Sequence, residues 1–144
     1  MFGRILVPVD GSPPSDAAID LAIRLARFAN GTIVLCHVQE VVLPVADAAG
    51  FATEQLVEEA ASAGSAILEE AKRRVADAGV SVDTTMRAAP VADAIVDAVR
   101  QLGIDVIVMG SHGRAGLARA VLGSRTEDVL RRSPVPVLVA PHAG

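Results

Sequence analysis

The apolar positions of the chain follow two rhythms. Residues 4–9, RILVPV, form a short continuous apolar run that stops at Asp10, the pattern of a buried strand. The DGSPPSD segment that follows carries turn chemistry. Ser12 is placed to cap a helix and Pro13 to take its first position. Apolar residues then return every three or four positions, at Ala18, Leu21, Ala22, Leu25, Phe28 and Ala29. This predicts a helix with that face turned inward, closed by the C-cap pair Asn30 and Gly31. TIVLCHV, 32–38, predicts a second strand. Residues 39–51 have no period, contain Pro44 and Gly50, and read as a connection.

The same alternation of rhythms continues to the C-terminus. From Thr53 to Ala78 the helical period falls on Leu56, Ala60, Ala63, Ile67, Ala71 and Val75, with Glu58, Glu59, Glu69, Glu70, Lys72 and Arg73 on the opposite face and Gly79 after the end. Residues 80–86, VSVDTTM, alternate apolar and polar, which predicts a strand near a sheet edge with one wet face. Pro90 opens a third helix, VADAIVDAVRQL, stopped by Gly103. The run 104–110, IDVIVMG, is unbroken and suits the sheet interior. Ser124 and Glu127 stand at S-x-x-E spacing, a capping box for a short last helix. VPVLVA, 135–140, is the last strand. Strands alternating with helices in this order imply an α/β fold, a single doubly wound parallel sheet with helices on both faces and right-handed crossovers. No internal repeat, low-complexity tract or linker divides residues 1–144, so one domain is expected.

Composition narrows the classes of function. Half of the residues are hydrophobic (51%) but only 2% are aromatic, so the core must be aliphatic. The net charge of −4 comes with no basic face, which argues against nucleic acid or an anionic membrane as partner. One cysteine, Cys36, sits inside a strand-like run, where it reads as a small core residue. No disulfide can form within the chain, and a reducing compartment is expected. MFGRILVPVD has neither the basic leader nor the long apolar stretch of a targeting segment, and no apolar run is long enough to span a bilayer. The expected location is the cytoplasm.

The segment VIVMGSHGRAGLARAVLGSRTE, 106–127, carries the candidate chemistry. In a doubly wound sheet ligands sit beyond the carboxyl ends of the strands, and both Asp10 and Gly110 end strands. A glycine-bearing loop then delivers the chain to a helix starting at Ser124. A helix N-terminus favours anions by about 0.3–1 kcal/mol, and glycines let main chain approach an anion closely or take positive φ. Taken singly, Gly110, Gly113 and Gly123 are also ordinary turn glycines, Ser124 a plain N-cap, and Arg114, Arg119 and Arg125 solvated charges; the spacing of the set is what points to phosphate. The Walker pattern is absent, since the loop has no lysine, and the first turn holds only Gly11, so no G-x-G-x-x-G is formed there. Asp105 lies at the wrong end of its strand to serve as a metal ligand for phosphoryl transfer. The pattern is one of binding with little or no catalysis.

Gly110-x2-Gly113-x9-Gly123-Ser124 matches, without a gap, the nucleotide signature G-x2-G-x9-G-[ST] of the universal stress protein family. ILVPVDGSPPSDAAIDLA resembles that family's opening strand and helix, TIVLCHV its second strand, and GSRTEDVLRRSPVPVLVA its closing segment. The resemblance implies an adenine nucleotide alpha hydrolase-like sheet of five parallel strands, order 3-2-1-4-5, with ATP at the tips of strands one and four. It implies that Asp10 holds ribose or adenine, that Pro8 and Val9 line that wall, and that Val38 meets the adenine edge through its backbone. Met109 and Gly110 would contact ribose and the first phosphate; Gly113, Gly123 and Ser124, with the amides of Arg125 and Thr126, would hold the phosphates, and any Mg2+ would be held through them. Arg125 departs from the small or aliphatic residue common at its position, and its side chain would either crowd the phosphates or help them. The resemblance further implies a homodimer through the C-terminal strand 135–140 and a regulatory role in the stress response, with a protein partner the sequence does not name.

The remaining residues leave alternatives. Asp10 equally suits an Asx-turn into Gly11. A phosphorylated receiver domain would need an acidic cluster on this rim, and the third strand ends instead in Met86-Arg87. His37, His112 and His142 share no metal-ligand spacing; His37 is expected beside the pocket. Ser111, Ser124 and Ser133 have no evident base. Lys72, Arg73 and Arg74 suit the end of a helix dipole. A slow ATPase or phosphotransferase using Asp10 and Mg2+, and a nucleotide-free interaction module with Arg125 filling the phosphate site, stand as the alternatives to an ATP-binding regulator.

Overall fold

Each apolar run becomes a strand, and all the strands run parallel. The structure, a computed structural model, describes residues 1–40, 51–88, 90–111 and 122–141. Its elements in chain order are β1 (Arg4–Pro8), α1 (Pro13–Ala29), β2 (Thr32–Gln39), α2 (Phe51–Asp77), β3 (Ser81–Ala88), α3 (Val91–Leu102), β4 (Val106–Gly110), α4 (Ser124–Arg132) and β5 (Val137–Ala140). The sheet order is β3-β2-β1-β4-β5, as the resemblance implies. β1 sits at the centre. Arg4 pairs with Thr32 and Pro8 with Cys36 on one side, and Ile5 with Val106 on the other.

The two faces of the sheet bury different helices. Ile5, Val7, Ile33, Leu35, Val106 and Val108 pack with α1 and α2, while Leu6, Val34, Cys36, Ile107 and Met109 pack with α3 and α4. Burial of a side chain such as Ile5 or Leu35 stabilises the fold by about 1.5–3 kcal/mol. β3 lies at one edge with most of its residues exposed, as its alternation predicts.

Local signals at the helix ends are realised with some exchange of roles. Ser12 caps α1, its Oγ accepting from the Ser15 amide at 3.4 Å. At the other end Asn30, not Gly31, takes the left-handed conformation (φ 54°). Gly31 is glycine for a different reason: a Cβ there would lie 2.5 Å from the Phe2 carbonyl oxygen. Gly103 closes α3 with φ 64°.

Three expectations are corrected. The buried stripe of α1 is Ala18, Ile19, Ala22, Ile23 and Ala26, with Leu21 and Leu25 at its margin. Phe28 is 91% exposed, because the true stripe shares Ala18 and Ala22 with the expected one but is turned by about one position around the helix. In α2, burial falls on Gly64, Leu68, Ala71 and Val75; Leu56 and Ala63 are exposed, so of the expected stripe only Ala71 and Val75 are buried. Ser124 and Glu127 make no capping box. Gly123 is the N-cap of α4, Ser124 is its first helical residue, and no side chain caps the end. Among the described residues no helix is long and apolar enough to cross a membrane.

Candidate functional site

Past the carboxyl ends of β1, β2 and β4 the sheet opens into a cleft of about 540 Å³, counting its mouth. One wall is the end of β1 with Pro8, Val9 and Asp10. Met109 and Gly110 from β4 form the floor. Val91 and Ile95, one turn apart on α3, make an apolar side, and Arg125 and Thr126 enter from the first turn of α4.

Asp10 makes the Asx-turn that the sequence left open for it, at the edge of the cleft. It lines the cleft, and its Oδ1 accepts from the Ser12 amide at 2.9 Å and from the Ser12 hydroxyl. Its own amide donates to Ser15 Oγ at 3.2 Å. The turn into α1 is therefore an Asx-turn formed by a residue of the cleft wall. Ser12 and Ser15 are buried here, and Ser15 joins the cleft wall.

Val38 is placed by strand parity. The Thr32 amide donates to the Gly3 carbonyl and the Val9 amide to the Cys36 carbonyl, so the even residues of β2 direct their main-chain groups toward β1. β1 has turned away by Asp10, so the parity aims the N–H and C=O of Val38 at the cleft. The odd position between them behaves differently. His37 Nδ1–H donates to the Val9 carbonyl at 2.8 Å, and a Cβ at Gly64 of α2 would lie 2.6 Å from the His37 ring. His37 thus packs on the α2 side of the sheet, the reverse of the face carrying Cys36 and Val38. Cys36 is buried in the cleft wall, and burial pushes its thiol up to about 11, the Arg87 charge opposing that rise.

The β4–α4 junction is built from main chain. Thr126 Oγ1 donates to the Gly110 carbonyl at 2.8 Å, pinning the first turn of α4 to the end of β4. The Gly123 amide donates to Ser111 O at 2.7 Å, so this donor is taken by the fold and does not face a ligand. Gly123 has φ −60°, and the expected use of positive φ does not apply to it. The amides of Ser124, Arg125 and Thr126, in the uncapped first turn, have no partner within the helix. The Arg125 guanidinium pairs with Glu40, just beyond β2, on the other side of the mouth. His112, Gly113, Arg114, Arg119 and His142 lie outside the described residues.

Pro8, Val9, Asp10, Val38, Met109, Gly110, Arg125 and Thr126 thus share one cleft, with Gly123 and Ser124 at its α4 end. Ser15, Cys36, Val91, Ile95 and Glu40 were missed. Cys36 was accessible from the two-residue period that links it to Val38; Val91 and Ile95 look the same in sequence as any buried helix stripe. Among the described residues no group of three or more His, Cys, Asp or Glu is placed to hold a metal ion. Asp105 lies at the amino end of β4, where its Oδ2 accepts from the Arg4 amide at 3.0 Å. Arg74 reaches across to Asp16 and Asp20 of α1, at 3.4 and 2.6 Å, a partner pair that the helix-dipole reading had not included.

The model of the universal stress protein family matches residues 1–141. Universal stress protein YxiE of Bacillus subtilis is 32% identical over 146 residues, covering 96% of this chain and 99% of its own. Among solved structures, universal stress protein UspA from Lactobacillus plantarum superposes with a TM-score of 0.82 at 27% identity, over 96% of this chain and 97% of that one. A universal stress protein solved in complex with cAMP superposes with a TM-score of 0.72 at 28% identity, over 98% of this chain and 97% of that one.

Proposed function

Given that the chain belongs to the universal stress protein family, we propose that its cleft binds an adenine nucleotide, ATP, and that occupancy regulates a protein partner in the stress response. The observation that carries this reading is the meeting, in one cleft, of an uncapped helix start with an arginine and an aliphatic hollow edged by the main chain of Val38. The helix start and Arg125 suit phosphate. The hollow suits a base recognised by backbone hydrogen bonds, since the chain has no Trp or Tyr to stack on it. A universal stress protein of the same fold solved in complex with cAMP supports an adenine-nucleotide ligand.

In this reading Pro8, Val9 and Met109 hold the base and ribose between apolar walls, and the Asp10 carboxylate accepts from a ribose hydroxyl. The phosphates lie over the amides of Ser124, Arg125 and Thr126, with Gly110, Gly113 and Gly123 giving main-chain access. The described residues supply no metal cluster, so Mg2+ would be held through the phosphates, whose charge it would partly neutralise. Residues 1–144 act as one domain in the cytoplasm. The outer edge of β5 pairs with a second copy about a two-fold axis, the commonest oligomer geometry.

The test exploits the missing chromophores. Purified protein, with no Trp or Tyr, has an ultraviolet spectrum dominated by any bound adenine, and chromatography of a heat-released extract identifies it. Titration calorimetry of stripped protein with ATP should give micromolar affinity, about −8 kcal/mol. Absence of both copurified and titrated nucleotide would sink the proposal.

A further inference from the structure

Arg125 has two claims on it. The residue lines the cleft, and its guanidinium is paired with the carboxylate of Glu40. Glu40 follows the end of β2, two residues beyond Val38, so the pair ties β2 to the start of α4 across the mouth. Neither partner is deeply buried: the side chains are 51% and 38% exposed. A pair of that exposure is held weakly and can be exchanged. A phosphate presents the same two-oxygen face to a guanidinium fork, with more charge.

We propose that Glu40 occupies the Arg125 guanidinium as an internal stand-in for phosphate, and that an anionic ligand enters by displacing it. This rests on the cleft being the adenine-nucleotide site proposed above. The consequence is selectivity by charge. A phosphate-bearing adenine compound recovers the Arg125 interaction that it breaks. Uncharged adenosine has nothing to offer the guanidinium and leaves the pair closed over it. Arg125 therefore helps the phosphates instead of crowding them.

The experiment measures calorimetric affinities of ATP and adenosine for the full chain, for Glu40→Gln, for Arg125→Gln and for the double variant. Both positions are at the surface, and Tm should stay within about 2 °C in each case. Glu40→Gln should tighten ATP by about two- to fivefold, the scale of a half-exposed ion pair. Arg125→Gln should weaken ATP by about tenfold, as expected for a lost bond to a charged group. The tightening should vanish when Glu40→Gln is made in the Arg125→Gln background, and adenosine should stay within about twofold throughout. The proposal is overturned if Glu40→Gln leaves ATP unchanged, if its gain persists without Arg125, or if adenosine and ATP shift together. A wild-type chain that binds neither compound removes the nucleotide site itself, an outcome distinct from one that binds ATP without regard to Glu40.

Discussion

A Cβ on Gly110 would lie 2.6 Å from the carbonyl oxygen of Pro14, in the first turn of α1. The glycine at the end of β4 is thus required by the packing of two main chains, before any ligand is considered. Gly110→Ala must push α1 away from the sheet, and overpacking of this kind costs about 1–3 kcal/mol. Thermal unfolding without nucleotide should show the loss. An unchanged Tm would mean that the two backbones separate freely.

Gly123 tests the opposite balance. As the N-cap of α4 it provides no side-chain acceptor, and an aspartate there would cap the first-turn amides. Gly123→Asp should raise stability by a few tenths of a kcal/mol, up to about 1. The same carboxylate would occupy the donors offered to phosphate and repel it, weakening ATP by about tenfold or more. A more stable protein that binds ATP less well is the expected result, read by calorimetry and thermal unfolding of the same sample. Unaltered ATP affinity would place the phosphates elsewhere.

Much of the site could be read from sequence because its parts lie at strand and helix ends, where local signals are strongest. Asp10, Gly110 and the start of α4 each follow an apolar run that stops abruptly. The phase of α1 could not be read so well: Leu21 and Leu25 sit at the margin of the buried stripe and pulled the assumed face toward Phe28. Serine favours a cap position, yet Gly123, its amide bonded to Ser111, holds it and Ser124 is the first helical residue. Glu40 was beyond reach. Its partner is 85 residues away, and no local spacing signals a contact that the sheet order creates.

Parity along β5 gives a test of assembly. The Ile107 amide donates to the Pro136 carbonyl, so the even positions of β5 face β4 and Val137 and Val139 turn their main-chain groups to the open edge. Val139→Pro removes an outward donor without touching the ladder to β4. In a two-fold pairing each copy loses one bond, and dimer affinity should fall about tenfold or more. Light scattering after size exclusion should show dimer giving way to monomer, with circular dichroism unchanged. A dimer that survives would lie on another surface.

The Cys36 thiol supplies a pH dependence. Burial raises its pKa to about 11 from an ordinary value of 9.0 in the unfolded chain. The protonated thiol therefore favours the folded state; this contribution is full below about pH 9 and is lost as pH rises through about 11. Denaturant unfolding should show stability falling across that alkaline window by up to about 2–3 kcal/mol, with the fall much reduced in Cys36→Ala. An identical slope in both proteins would assign the loss to other groups.

The Asx-turn at Asp10 constrains how such a site can diverge. Asp10 lines the hollow, and its carboxylate holds Ser12, the cap of α1, so exchanging it to alter ligand preference would also fray a helix packed on the central sheet. Val91, at the start of α3, and Arg125, half in solvent, hold no helix cap. Natural variants with new ligand tastes should accumulate their changes at those two places while position 10 stays fixed.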